Sequence, residues 1–241
     1  MCEQCGCGEV TSFHHHEIEP RKIKLEEMVL SKNDRLAERN RGIFEAMKVV
    51  VLNLVSSPGA GKTTLLEQTI RNLKNEMNIG VIEGDQQTDR DAKRIESLGV
   101  RVHQINTFDA CHLDAHMVRH ALDNFPLNEI DLLFIENVGN LICPGAFDLG
   151  EDFRVVVLSI TEGEDKPIKY PGIFLDSPLV LINKIDLLEV LEFDLDQCLS
   201  YVKKVNNQAQ CLCVSAKTGQ GMESWYEWIK QKVKERGIKS Q

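Results

Sequence analysis

Apolar residues in this chain gather into short runs separated by amphipathic or polar segments. The first run, VVVLNLV at 49–55, is mostly β-branched and has no polar face, as a fully buried strand requires. Similar runs at 81–85 (VIEGD), 100–105, 131–136 (DLLFIE), 154–161, 179–182 and 210–214 predict further strands. Helical patterns fill the gaps: 65–77, closed by Asn78-Ile79-Gly80, then 86–98, and a last helix at 221–236 in which Trp225 and Trp228 pack. Ahead of the first strand, Ile23, Met28, Leu30, Leu36, Ile43, Phe44 and Met47 recur among charges, which predicts one or two amphipathic helices over 23–48. Strands alternating with helices predict an α/β fold, whose ligands collect at the carboxyl ends of the strands.

Those strand ends carry the chemistry. The first run breaks on Ser56-Ser57-Pro58-Gly59-Ala60-Gly61 and resumes as Lys62-Thr63-Thr64-Leu65-Leu66, the strand–loop–helix context of a phosphate-binding loop. Amides from Ser57 through Thr64 and the helix start would cradle phosphates, Lys62 would reach the β- and γ-phosphates, and the Thr63 hydroxyl would ligate Mg²⁺. One position departs from the motif, since Ser56 stands where its first glycine belongs. Asp85 ends the second run, placed to hold Mg²⁺ through water or to orient the attacking water. Glu136-x-x-Gly139 follows another strand, at the position where nucleotide hydrolases sense the γ-phosphate and its Mg²⁺. Asn183-Lys184-Ile185-Asp186 fits guanine, because a carboxylate accepts from both the ring N–H and the exocyclic amine, and Ser215-Ala216-Lys217 would close over the base. No general base or arginine finger stands out, so turnover of GTP to GDP by the isolated chain should be slow.

Composition then bounds the setting. The 241 residues suit one α/β domain with extensions, and a formal charge of −9 argues against nucleic acid as a partner. No apolar run reaches membrane-spanning length and no secretory signal is visible, so the protein is expected in the cytoplasm with reduced thiols. Its eight cysteines then read as metal ligands or buried small residues. Residues 1–17 lack apolar periodicity but hold C-x-x-C-G-C (Cys2, Cys5, Cys7), whose thiolates suit Zn²⁺, Ni²⁺ or Cu(I). His14, His15 and His16 read equally as further ligands or as a chance cluster. This divides the chain into a flexible Cys/His-rich tail over 1–22 and a nucleotide-binding domain over 23–241. Inside the domain, His112, His116 and His120 recur at helical spacing beside Cys111, near a helix start whose dipole would favour a thiolate. Cys143, just past the Glu136 switch position, is a third soft ligand for that group. Lys166 and Lys169, at another strand end, are candidates for phosphate or subunit contacts.

Taken together, SSPGAGKTT, EGD, the Cys111-His112 pair, ENVGNLICP, NKID and SAKTG resemble the hydrogenase nickel-incorporation GTPases, the HypB family, from about Lys24 onward. The resemblance implies a P-loop domain, mostly parallel sheet with helices on both faces, that forms a GTP-favoured homodimer across its nucleotide sites. It implies GTP hydrolysis coupled to delivery of Ni²⁺ to the [NiFe]-hydrogenase large-subunit precursor, together with the metallochaperone HypA. Cys111, His112 and Cys143 match the family's interface site for Ni²⁺ or Zn²⁺, Asp85 and Glu136 match its Mg²⁺ and switch positions, and Cys2, Cys5 and Cys7 match a nickel motif that some members carry. The related urease-maturation GTPases share the fold and the metal, but C-x-x-C-G-C and Cys111-His112 speak against them. A passive nickel store is the alternative of a different class.

Overall fold

The computed structural model describes residues 20–237 except 87, 109 and 124, with backbone alone for 20–26. Cys2, Cys5, Cys7 and His14–His16, and with them most of the expected tail, lie outside the described residues. The chain begins with α1 (Pro20–Met47), one continuous helix of 28 residues where the sequence left one or two open. It continues through β1 (Val50–Ser56), α2 (Lys62–Leu73), β2 (Ile79–Asp85), α3 (Arg90–Glu96), β3 (Arg101–Asn106), α4 (Ala115–Leu122), β4 (Leu132–Glu136) and β5 (Phe153–Ser159). Short helices α5 (Lys166–Lys169) and α6 (Pro171–Leu175) follow, then β6 (Leu179–Asn183), α7 (Leu195–Val205), β7 (Gln210–Cys213) and α8 (Met222–Glu235).

Among the described residues the seven strands form one sheet in the order β3-β2-β4-β1-β5-β6-β7, every pairing parallel. The expected mostly parallel α/β sheet is what forms. β1 lies in its middle between β4 and β5, which is why its sequence is apolar on both faces. Val50, Leu52 and Leu54 pack with Leu66 and Ile70 of α2 and Trp225 and Ile229 of α8. Val51 turns the other way, onto Phe44 of α1 and Val118 of α4, while Val55 joins Phe174 of α6 and Val202 of α7. Trp225 and Trp228 are both core residues, with the Trp225 indole donating to Thr69 Oγ1 at 2.9 Å.

Three boundary differences bear on the site. Ile79 and Gly80 already belong to β2, because the helix before them stops at Leu73 and the reversal is made by Lys74 to Asn78. α3 begins at Arg90 rather than 86, since Asp85 draws the following turn onto its own carboxylate. α4 begins at Ala115, capped by Asp114, whose side chain accepts from the Met117 amide at 2.7 Å. His112 therefore precedes the helix and does not share a face with His116 and His120. No helix among the described residues is long and apolar enough to cross a membrane.

α1 is fastened to the domain by buried amides as well as by apolar contact. Asn40, fully buried, donates to the carbonyls of Ala115 (2.9 Å) and Leu149 (3.0 Å), and Asn33 bonds the Ala115 amide and the Asp148 carbonyl. Arg41 grips the Asp148 carboxylate through two bonds of 2.7 and 3.0 Å. Asn40→Ala should destabilise the protein by about 1–3 kcal/mol, because it strands the buried Leu149 carbonyl and takes one of two donors from that of Ala115. Urea unfolding reads this as a lower midpoint with an unchanged m-value.

Candidate nucleotide and metal site

The carboxyl ends of β1, β2 and β4 open onto a cavity of about 520 Å³ lined by Gly59, Lys62, Thr63, Glu83, Asp85 and Glu136, with Asp91, Arg94 and Gly139 on its wall. A smaller cavity of about 240 Å³ adjoins it at the ends of β6 and β7, lined by Gly61, Thr64, Asn183, Lys184, Asp186, Ala216 and Lys217. Phosphate-loop and base-recognition residues from the sequence thus line neighbouring spaces. Ser57, Ala60 and Ser215 stand outside both linings and act as the frame.

The loops at these two cavities are locked together. Asn183 donates to the Ala60 carbonyl at 2.8 Å and accepts from the Ala216 amide at 3.0 Å, while Lys184 Nζ reaches the Gly59 carbonyl at 2.7 Å. Gly61 is obligatory here: its φ is +96°, and a Cβ would meet Asn183 Nδ2 at 2.6 Å. Ser215 is fully buried and donates to the Asp186 carboxylate at 2.6 Å. Ser56 explains the departure from the glycine motif. Its hydroxyl donates to the Ser57 carbonyl at 2.6 Å and accepts from Lys62 Nζ at 2.8 Å, holding the buried ammonium at the cavity floor. Burial pushes the Lys62 pKa down, against the pull of Glu136, Glu162, Asp91 and Glu83.

A cluster of oxygen donors faces Lys62. Thr63 Oγ1 lies 2.8 Å from Glu136 Oε1 and 3.3 Å from Asp91 Oδ2. Glu83 and Glu136 are register partners on β2 and β4, both buried, and each has an Oε2 with no hydrogen-bond partner among the described residues. Burial and the neighbouring Glu136 push the Glu83 carboxyl up to about 8, and burial raises Glu136 as well. Orphaned carboxylate oxygens beside a threonine hydroxyl are a donor set that fits a hard cation such as Mg²⁺. Asp85 lines the cavity, but its carboxylate accepts from the amides of Gln86 (2.6 Å) and Thr88 (3.1 Å) and from Thr88 Oγ1 (2.6 Å). Arg94 is held by Asp91 at 2.8 Å and Glu67 at 2.7 Å. Glu83, Asp91 and Arg94 were missed by the sequence reading; the signal for Glu83 was an acid inside an otherwise apolar strand.

Beyond the switch position lies a cluster of soft ligands. Cys111 Sγ is 2.8 Å from Cys143 Sγ and 3.7 Å from His112 Nδ1, and the three donor atoms all lie within 4.8 Å of one another. The His112 ring stacks on Phe147 with centroids 3.9 Å apart, and burial lowers its pKa, which keeps the imidazole a neutral ligand. The Cys143 thiol is pushed up, first by its hydrogen bond with Cys111 and then by burial. Arg154, itself buried, donates to the carbonyls of Gly145 (3.0 Å) and Phe147 (3.2 Å) and fixes the Cys143 segment from below. Cys198, Cys211 and Cys213 are free thiols raised by burial, Cys198 to about 12. Lys169 pairs with Asp165 at 2.5 Å and Lys166 lies over the Tyr170 ring at 5.4 Å, and neither lines the two cavities described above.

One side chain joins the two halves. Asn137, next to Glu136 and fully enclosed, accepts from the amides of Leu113 and Val138 at 3.0 Å each and donates to Asn53 at 3.3 Å. Leu113 directly follows His112. Two residues further, Gly139 packs on the phosphate loop, where a Cβ would meet Pro58 Cα at 3.0 Å.

Residues 50–213 match a family model described as CobW/HypB/UreG, nucleotide-binding domain. The chain is 55% identical over 211 residues to the hydrogenase maturation factor HypB of Azotobacter vinelandii, an alignment spanning 88% of this chain and 70% of that one. The crystal structure of HypB from Helicobacter pylori in complex with nickel superposes with a TM-score of 0.81 at 38% identity, covering 87% of this chain and 99% of that one. Hydrogenase maturation factor HypB of Archaeoglobus fulgidus gives 0.79 at 41% identity, covering 84% and 99%.

The raised Glu83 pKa has a consequence for stability. In the unfolded chain its carboxyl ionises at its ordinary value near 4.5, whereas in the fold it holds its proton to about 8. Between those values the unfolded state binds fewer protons, so this group's contribution falls as pH rises and levels off above 8. For protein free of nucleotide and divalent metal, the stability gain of Glu83→Gln over wild type should grow from pH 5 to pH 8. Urea midpoints at each pH check it; a constant difference would refute it.

Proposed function

The chain belongs to the HypB family of hydrogenase maturation factors, and on that premise we propose that it is a GTP-hydrolysing nickel chaperone for the [NiFe]-hydrogenase large-subunit precursor. The observation that supports this most is the hydrogen-bonded continuity between the Glu136–Gly139 strand end, at the nucleotide cavity, and the Cys111, His112, Cys143 ligand set, through Asn137.

In this reading Asp186, aimed by Ser215, recognises the guanine edge, and the stem of Lys184 covers the ring. Ser57 to Thr64 present amides to the phosphates, and Lys62 neutralises charge that develops on the β- and γ-oxygens as water attacks the γ-phosphorus and the bond to the β-oxygen breaks. Thr63 and Glu136, with Asp85 at the rim, would hold Mg²⁺, which when bound supplies further neutralisation of the phosphates. Turnover by the isolated chain is slow, because Arg94, the guanidinium at this wall, is already engaged by Asp91 and Glu67.

Nickel is the cargo. Three soft donors leave coordination positions open, and a GTP-favoured homodimer would bring a second set of the same ligands to complete them. Zn²⁺ suits the same donors. Release of the γ-phosphate removes its contact at Gly139, moves the segment leading to Cys143, and through Asn137 disturbs the Leu113 amide beside His112. The amino-terminal Cys2, Cys5 and Cys7 form a separate nickel site, HypA is the companion chaperone, and the setting is the cytoplasm, where thiols stay reduced.

Coupling of this kind is reciprocal: a nucleotide that alters nickel affinity is itself bound more or less tightly when nickel is present, by the same factor. Ni²⁺ titrated into protein loaded with a non-hydrolysable GTP analogue and with GDP should give different affinities at the Cys111 site. Asn137→Ala should shrink the difference by about 0.5–2 kcal/mol while leaving both ligands able to bind. Equal nickel affinities in the two nucleotide states of the wild type would reject the coupled mechanism. Lys62→Ala should abolish the nucleotide effect but not nickel binding. A chain lacking residues 1–17 should lose one tight nickel site and keep the nucleotide-sensitive one.

A further inference from the structure

Arg94 supplies the guanidinium of the nucleotide cavity, and in this structure it is turned to two carboxylates. Its Nε and Nη2 donate to the two oxygens of Glu67 at 3.2 and 2.7 Å, a bidentate fork, and Nη1 donates to Asp91 Oδ1 at 2.8 Å. Glu67 follows Thr63 by four residues on α2, so the two share a helix face beside the phosphate loop. Asp91 and Arg94 stand three apart on α3 and share a face in the same way. The Arg94 side chain keeps 41% of its surface exposed, against 16% for that of Glu67. The carboxylate is thus the fixed partner, and the guanidinium can swing by rotation of its own side chain.

The second carboxylate has a competing demand. Asp91 Oδ2 lies 3.3 Å from Thr63 Oγ1, the hydroxyl that would ligate Mg²⁺. A divalent ion at Thr63 attracts Asp91 and weakens its hold on Arg94, which leaves Glu67 as the remaining restraint. The plain alternative is a structural tie between α2 and α3. A tie needs one carboxylate, and a partly exposed ion pair contributes little to stability. Here two acids engage a guanidinium on the wall of a cavity that also holds Lys62 and the phosphate loop.

We propose that Arg94 is a catalytic arginine supplied in cis, and that Glu67 withholds it from the γ-phosphoryl group. The inference rests on the GTPase reading above and deepens it by naming the side chain that keeps turnover slow. In the reaction the oxygen of water bonds to the γ-phosphorus and the bond to the β,γ-bridging oxygen breaks. The electron pair of that bond stays with GDP, and the water's proton passes to the departing phosphate. Once released from Glu67, Arg94 neutralises charge growing on the bridging and γ-oxygens, adding to what Lys62 supplies. A planar guanidinium bridges two such oxygens, which an ammonium does not.

The test is steady-state hydrolysis of GTP with Mg²⁺ by the full chain, comparing wild type with Glu67→Gln, Arg94→Ala and the double variant. An arginine of this kind supplies about 10³–10⁵-fold in kcat, and removing one of its two restraints should release about tenfold or more of it, with KM little changed. The same Glu67→Gln change in the Arg94→Ala background should give no rise. A merely structural tie predicts the opposite: a lower melting temperature and no gain in kcat. If Glu67→Gln does not fold, Glu67→Ala, favourable within a helix, takes its place in the comparison. Hydrolysis by wild type with no rise on losing Glu67, or a rise that persists without Arg94, would overturn the proposal alone. Absence of GTP hydrolysis in every variant would reject the GTPase reading and this proposal with it.

Discussion

The structure depends most on a constraint at the carboxyl end of β4. A parallel sheet covered on both faces leaves no water for its polar groups, so the strand end that carries Glu136 and Asn137 must satisfy them within the protein. Asn137 does so by bonding Leu113, Val138 and Asn53, and Asn53 in turn donates to Glu151 at 2.9 Å. Glu151 meets Arg154, whose guanidinium holds the carbonyls of Gly145 and Phe147. Both segments that carry soft ligands, 111–113 and 143–147, therefore hang from one buried polar network beneath the sheet. Each bond contributes about 1 kcal/mol, but leaving one of these buried groups unpaired costs about 1–3 kcal/mol.

How much of this was legible in the sequence follows from what is local and what is not. β1 and its loop were readable because an apolar β-branched run followed by SSPGAGKTT is a contiguous signal. N-K-x-D was readable for the same reason, and Cys111, His112 and Cys143 drew notice as residue types rare outside such roles. Asp114 as a helix cap was also local, yet the repeat of histidines four apart outweighed it and placed His112 on a helix it does not join. Asp85 reads as a free carboxylate at a strand end, but Thr88, three residues on, folds back upon it. What remained hidden is pairing across the sheet. Glu83 meets Glu136, Asn53 meets Asn137, and Arg154 meets the Cys143 segment only after the strands take their order.

The same sheet order gives the site its electrostatic logic. Glu83, Asp85, Asp91 and Glu136 crowd a cavity whose cations are Lys62 and Arg94, the latter occupied by Glu67 and Asp91, with Lys184 at its edge. A triphosphate brings still more negative charge into this space. It enters favourably only with positive charge beside it or with protons retained on the acids, and burial beside Glu136 already raises the Glu83 carboxyl. A divalent cation would supply the first, so the proposed function has nucleotide and hard cation entering together. The soft ligands avoid capturing that cation by their chemistry. Thiolate and imidazole at Cys111, Cys143 and His112 discriminate against Mg²⁺, whereas the oxygen cluster at Thr63 and Glu136 holds nickel poorly by comparison. In the proposed mechanism two ions of equal charge would be sorted by donor type, and the Asn137 bond to the Leu113 amide is the contact through which one site would report on the other.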